Sequence, residues 1–178
     1  GLYKRAEMLA KLPIGVQQWI VQKAPGAEPY IGFVVEPYCS FLTYEITDLD
    51  AATKLLPAHY ELIPAAMFDG DPTKPCAILG AFNVHTSVFW GSRVELYVIA
   101  RNTKTGMMSW VIVDYESNTI SYDPGQGFSG STTSRSVITT TYAGEVVVDV
   151  ESAERPNSIA YCMALDGAAM RPLEQRLW

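Results

Sequence analysis

Ser92-Arg93-Val94-Glu95-Leu96-Tyr97-Val98-Ile99-Ala100-Arg101 leads through Asn102-Thr103-Lys104-Thr105-Gly106 into Met107-Met108-Ser109-Trp110-Val111-Ile112-Val113-Asp114. Two runs rich in β-branched and aromatic residues flank a short polar loop that ends in glycine. This is the pattern of an antiparallel hairpin. Side chains alternate along a strand, so Arg93, Glu95 and Tyr97 share one face while Val94, Leu96 and Val98 share the other. A polar triplet on one face of an otherwise apolar strand makes this hairpin the first place to look for chemistry.

Working outward, strands are expected at Gly32–Val35, Ser40–Tyr44, Tyr60–Phe68, Cys76–His85, Thr119–Tyr122, Arg135–Tyr142, Glu145–Glu151 and Ser158–Ala164, with Ala143-Gly144 as a tight turn. Residues 3–11 read as a short helix that Pro13 ends. A second helix is expected near Asp48–Leu56, capped by Thr47 or Asp48, with Asp50 at its positive end and Pro57 just beyond it. Gly125–Ser136 is rich in Gly, Ser and Thr and reads as a mobile loop. The fold class is therefore mainly β (α+β) with one or two short helices, and the hairpin spacing of the strands suggests a closed or nearly closed antiparallel barrel. No repeat or linker divides the 178 residues, so residues 1–178 read as a single domain.

Composition narrows the function. A formal charge of −6 with no basic run argues against a nucleic-acid partner, because that binding runs on cations against phosphate. No apolar run approaches the ~18 residues of a membrane span, and Gly1-Leu2-Tyr3-Lys4-Arg5 lacks the long apolar core of a secretory signal. Cys39, Cys76 and Cys162 are odd in number and widely spaced, which points to reduced, mostly buried thiols. A cytoplasmic setting is the expectation. His59 and His85 lie far apart with no third ligand nearby, so no metal and no cofactor are expected.

Three blocks resemble the acetoacetate decarboxylase-like β-barrel family. The first is Phe41-Leu42-Thr43-Tyr44-Glu45-Ile46-Thr47-Asp48-Leu49-Asp50-Ala51-Ala52-Thr53-Lys54-Leu55-Leu56-Pro57, followed by Tyr60-Glu61-Leu62. It is similar to the family's strand and its helix of the D-x-x-A-x-x-x-L-L-P type. The second, Gly91-Ser92-Arg93-Val94-Glu95-Leu96, is similar to the glycine-led strand that carries a glutamate into the barrel. The third runs from Trp110-Val111-Ile112-Val113-Asp114 to Ser131 and matches the active-site loop in spacing but not in residues. Tyr122-Asp123-Pro124 stands where the family has Gly-Arg-Glu, and Gly130-Ser131 stands where it has two lysines.

The resemblance implies an acetoacetate decarboxylase-like barrel that handles a small carbonyl or carboxylate compound. The family runs longer at its C-terminal end, so the chain reads either as a shortened relative or as an incomplete copy, and a homo-oligomer is the partner state left open. Family members decarboxylate or dehydrate keto acids through an iminium on a lysine of lowered pKa. Without an amine at Gly130-Ser131 that intermediate has no place to form there. The six lysines, Lys4, Lys11, Lys23, Lys54, Lys74 and Lys104, fall in expected termini, helix, turns or hairpin loops.

Glu95 is the acidic position that the resemblance carries over as catalytic, with Arg93 as a partner for a carboxylate. Tyr97, His85, Trp110, Tyr122, Gln126 and Phe128 are the candidate substrate-binding residues. Phe128 is singled out because its expected loop position otherwise exposes a large ring. Each has a plainer reading: Arg93, Glu95 and Tyr97 as a solvent face, His85 as a hydrogen-bonded structural histidine, the aromatics as core. Ser129 and its neighbours lack the G-x-S-x-G elbow, and Gly125-Gln126-Gly127 with Gly130 leads into no helix, so serine hydrolase and dinucleotide readings fail their contexts. Two functions stay open. One is a lyase-like enzyme using acid–base chemistry for decarboxylation, dehydration or isomerisation. The other is a non-catalytic small-molecule-binding barrel.

Overall fold

The computed structural model describes residues 8–23, 33–35, 39–86, 90–123 and 127–177. The chain is mainly β, with antiparallel sheets. Among the described residues no ladder closes the largest sheet into a barrel. These residues group into two compact units. The first holds Gly1–Cys39, Phe82–Arg93 and Glu116–Met163, and the second holds Ser40–Ala81, Val94–Tyr115 and Ala164–Trp178.

In the second unit β2 (Ser40–Glu45) pairs antiparallel with the early part of β5 (Lys74–Thr86), Ser40 opposite Ala81 and Glu45 opposite Cys76. The segment expected as one strand over Tyr60–Phe68 is broken in two. β3 (Tyr60–Leu62) pairs with the end of β6 (Trp90–Asn102), and β4 (Pro64–Ala65) pairs with the start of β5. Pro64 has no N–H to carry a continuous ladder, which accounts for the switch of partner at that point. β6 continues into β7 (Met108–Ser117) through a hairpin loop. There Asn102 Oδ1 accepts from the Lys104 and Thr105 amides, and Gly106 adopts a φ of 74° that favours glycine.

α2 (Leu49–Leu55) forms where the sequence places it, with Asp48 Oδ1 accepting from the Ala51 amide at 2.9 Å. The core of this unit is Ala65, Cys76, Ile78, Tyr97, Ile99 and Leu177, with Phe41, Ile63, Met67, Met108 and Trp110 packed against it. Leu177 joins that core from the last described residue, far in sequence from the strands it covers.

In the first unit β1 (Phe33–Val35) pairs with the end of β5, and β8 (Ser121–Asp123) pairs with β9 (Gly127–Ser129). The reading of Gly125–Ser136 as a mobile loop is therefore corrected: Gly127–Ser129 is a strand, and β10 begins at Thr133. β10 (Thr133–Thr140), β11 (Glu145–Ser152) and β12 (Ser158–Ala164) form an antiparallel sheet. It buries Val146, Val148 and Val150 from alternate positions of β11. Of the helix expected over residues 3–11, residues 8–10 are helical and the earlier ones lie outside the described residues. Pro13 also opens a further helix that was not expected, α1 (Ile14–Lys23), its carbonyl accepting from the Val16 and Gln17 amides. Proline suits the start of a helix, where its missing N–H costs nothing. The three cysteines are free, and Cys162 is exposed rather than buried.

Ile78 of β5 and Ile99 of β6 are both at 0% exposure in the second unit's core. Ile78→Ala should lower the unfolding free energy by about 2–5 kcal/mol and Ile78→Val by about 0.5–1.5 kcal/mol. Tyr142→Ala, at a fully exposed turn, should stay within about 0.5 kcal/mol of the parent. Urea denaturation of the three variants checks this ordering; equal losses at Ile78 and Tyr142 would contradict the core assignment.

Candidate functional site

Strand alternation in β6 puts Glu95 and Tyr97 on one face, and that face is buried: Glu95 is 5% exposed and Tyr97 8%. The Tyr97 hydroxyl donates to Glu95 Oε2. A carboxylate taken from water is costly unless it is hydrogen-bonded or paired, and Tyr97 supplies a donor from two residues along the same strand. The phenol ring is held in turn. Trp110 of β7 meets it edge-on at 5.2 Å, and meets Phe41 of β2 edge-on at 5.8 Å. The Trp110 Nε1–H donates to the Leu177 carbonyl at 2.8 Å, which fixes the indole from the C-terminal segment.

Gly80 of β5 makes room for these rings. A Cβ there would come within 2.8 Å of Phe41 Cε1 and 3.2 Å of Tyr97 Cε2. Glu95, Tyr97 and Trp110 are thus brought together in the second unit, with Phe41 and Gly80 as their packing partners.

Phe41 also lines an open groove of about 500 Å³ in the same unit, together with Ala65, Met67, Phe68, Cys76 and Arg171. Two ion pairs sit on that groove: Lys74 Nζ to Glu45 Oε2 at 2.6 Å and Arg171 Nη2 to Asp71 Oδ1 at 2.5 Å. Lys74 is the first residue of β5 rather than part of a turn. Burial pushes the Cys76 thiol above its ordinary range, so it is protonated at neutral pH.

The remaining candidates fall in the first unit. Arg93 Nη1 donates to Ser121 Oγ at 2.8 Å. Phe128 lies in β9, and its amide donates to Gln17 Oε1 at 2.7 Å. Gln17 is a buried residue that the sequence reading passed over. Its Nε2 donates to the Leu12 carbonyl at 2.7 Å, so one side chain ties the start of α1 to β9. Gly127, at φ 85°, leaves the space this amide group occupies, since a Cβ there would meet Gln17 Oε1 at 2.4 Å. His85 and Tyr122 pair through their backbones with Val34 and Phe128, and their side chains lie outside the described residues, as does Gln126. Among the described residues no cluster of three or more His, Cys, Asp or Glu could hold a metal ion.

A second buried carboxylate, Glu116 at the end of β7, was also missed. Its Oε1 accepts from Arg155 Nε at 3.0 Å and Nη2 at 2.5 Å, with the glutamate side chain only 11% exposed. Burial alone pushes this carboxyl up. The Thr132 and Ser152 hydroxyls nearby and the Arg155 guanidinium outweigh that and hold it below the ordinary 4.5. Those hydroxyls donate to the Ser117 and Thr132 carbonyls, and neither makes a well-aligned bond to Oε2, which is buried without a partner. No spacing rule joins Glu116 to Arg155, 39 residues on; only the folded β10–β12 sheet does.

No protein-family model, curated protein or solved structure matches this chain. The resemblance therefore stands on the quoted residues alone.

The Glu116 pair predicts a pH signature. A carboxyl whose folded value lies below its unfolded one contributes stability that is fully present above the unfolded value and is lost as pH falls through the folded value. The stability gap between the parent and Glu116→Gln should be widest at neutral pH and shrink below about pH 4.5. Urea midpoints of both proteins between neutral pH and about pH 3 measure it; a gap that holds constant or widens in acid would contradict the pairing.

Proposed function

We propose that this chain is a divergent acetoacetate decarboxylase-like barrel protein that acts on a small carbonyl- or carboxylate-bearing molecule by acid–base chemistry at Glu95, without a lysine imine. The observation that carries this reading is the state of Glu95. It stands at the position where the resemblance places a glutamate in the barrel, it is 5% exposed, and the Tyr97 hydroxyl donates to it. A solvent-facing charge pair, the plainer alternative, has neither feature.

In the reaction class this supports, the Glu95 carboxylate takes a proton from the carbon beside the substrate carbonyl. The electrons move into an enolate, and the same carboxyl group returns the proton at a new position. Tyr97 keeps its proton and steadies the carboxylate by donating to it. Isomerisation needs no more than this; in dehydration the proton goes instead to the departing β-hydroxyl, which leaves as water. The reading carries with it a homo-oligomeric, cytoplasmic protein with no cofactor.

One observation favours a second reading, a barrel that binds a small molecule and has no chemistry. Gly130-Ser131 replaces the lysine pair on which the family's reaction depends.

Turnover separates the two. On an enolisable keto acid, followed by loss of the α-proton in deuterated buffer, the parent should exchange and Glu95→Gln should not. Glu95→Gln should keep ligand affinity within about tenfold, or roughly 1.4 kcal/mol. Borohydride with acetoacetate or pyruvate should leave the intact mass unchanged. Exchange that survives Glu95→Gln, or a stoichiometric adduct on any lysine, would overturn the acid–base assignment.

A further inference from the structure

The groove beside Phe41 involves none of the candidate site residues, and it combines apolar side chains with two ion pairs. Its floor and walls are apolar and soft: Phe41, Ala65, Met67, Phe68 and the protonated Cys76 thiol. A volume of about 500 Å³ falls in the range of small-molecule pockets, which combine an apolar lining with a few fixed polar groups. Here the fixed polar group is Arg171. Its guanidinium carbon sits 4.6 Å from the centroid of the Phe68 ring, and its Nη2 donates to Asp71 Oδ1.

Neither contact is accidental to the fold. The Asp69 amide donates to the Pro172 carbonyl, the Glu174 amide donates to the Met67 carbonyl, and Phe68 forms a β-bridge with Leu173. The segment Pro172–Glu174, next to Arg171, is therefore stitched to Met67–Asp69 on both sides of Phe68. This orders the guanidinium before any ligand arrives, so little rotamer entropy remains to be lost on binding.

The donors of Arg171 decide which polar group the ligand presents. Arginine has five N–H donors in a planar fork, and the Asp71 contact uses one. The side chain keeps 44% of its surface exposed, which leaves fork donors accessible to an incoming anion. Carboxylates match that fork with two parallel bonds; Glu45 and Asp71 balance Lys74 and Arg171 on the same groove, so the geometry of the fork, rather than a net charge, selects the carboxylate. Lys74, on the same groove, adds a second cation with donors beyond the one given to Glu45. Phe41, Phe68 and Met67 suit a flat or branched apolar body.

We propose that this groove binds a compact carboxylic acid with an aromatic body, its carboxylate on the Arg171 fork and its ring between Phe41, Met67 and Phe68. The site stands apart from the Glu95 chemistry and does not depend on it.

The probe is phenylacetate, with phenylacetamide as its uncharged isostere, titrated by ligand-observed NMR and calorimetry against the full chain. Phenylacetate should bind at least tenfold more tightly than the amide, and the difference should shrink in high salt. Arg171→Ala should cost tenfold or more in phenylacetate affinity while leaving the amide within about twofold. Thr43→Trp, which fills the groove from an exposed position, should remove both ligands without lowering the melting temperature. Equal affinity for acid and amide, undiminished phenylacetate binding in Arg171→Ala, or no binding of either probe at millimolar concentration would each overturn the proposal. None of these outcomes bears on proton exchange at Glu95, so the two readings fail separately.

Discussion

A carboxylate on a strand whose face is buried sets the terms for the whole second unit. Glu95 is removed from water at a point where β6 is flanked by β5 and β7, and an isolated charge there would cost several kcal/mol. Tyr97 answers from the same strand and the same face, but a phenol is a useful donor only if its ring cannot swing away. Trp110 and Phe41 meet in a chain of edge contacts that reaches Tyr97, and Gly80 withholds a side chain so that those rings can close on β5. Leu177 then pins the indole through its carbonyl while its own side chain completes the core. One buried acid thus explains why a glycine, three aromatic rings and the far end of the chain converge.

The first unit meets the same problem with a different donor. Glu116 is paired with a cation, Arg155, which reaches in from beyond the end of β11 while remaining 42% exposed. A charged partner stabilises the ionised carboxylate directly, which suits a structural tie that is to remain charged at neutral pH. At Glu95 a phenol hydroxyl from the same strand is among the donors. Arg135, which bonds Asp149 and Glu151 across the β10–β11 ladder, is a third and more exposed arrangement. Such surface pairs contribute ~0–1 kcal/mol.

Much of this architecture was legible in the residues. The β6–β7 hairpin follows from two β-rich runs around a glycine-containing loop, and α2 from an aspartate cap and a closing proline. The pairing of Glu95 with Tyr97 on one face needed only the period of a strand. Other features were hidden for physical reasons. Pro13 can end one helix or begin the next, and the β-branched Val16, Ile20 and Val21 gave α1 a weak helical signature. Gly127–Ser129 looks like loop by composition; its strand depends on pairing with β8 and on the Gln17 side chain, 111 residues away from Phe128. The groove draws on β2, on Ala65–Cys76 and on Arg171, so no local pattern announces it. The same holds for Glu116 with Arg155. Contacts that span the chain are set by tertiary structure and leave no trace in spacing.

The buried face of β6 depends on the bond between Glu95 and Tyr97, and a double-mutant cycle measures that bond directly. Urea denaturation of the parent, Glu95→Gln, Tyr97→Phe and the double variant isolates the pairwise term from whatever else each side chain touches. Hydrogen bonds to charged groups are worth about 1.5–3 kcal/mol, so the cycle should return a favourable coupling of about 1 kcal/mol or more at neutral pH. A coupling indistinguishable from zero, with the four proteins folded and their denaturant slopes equal, would contradict it.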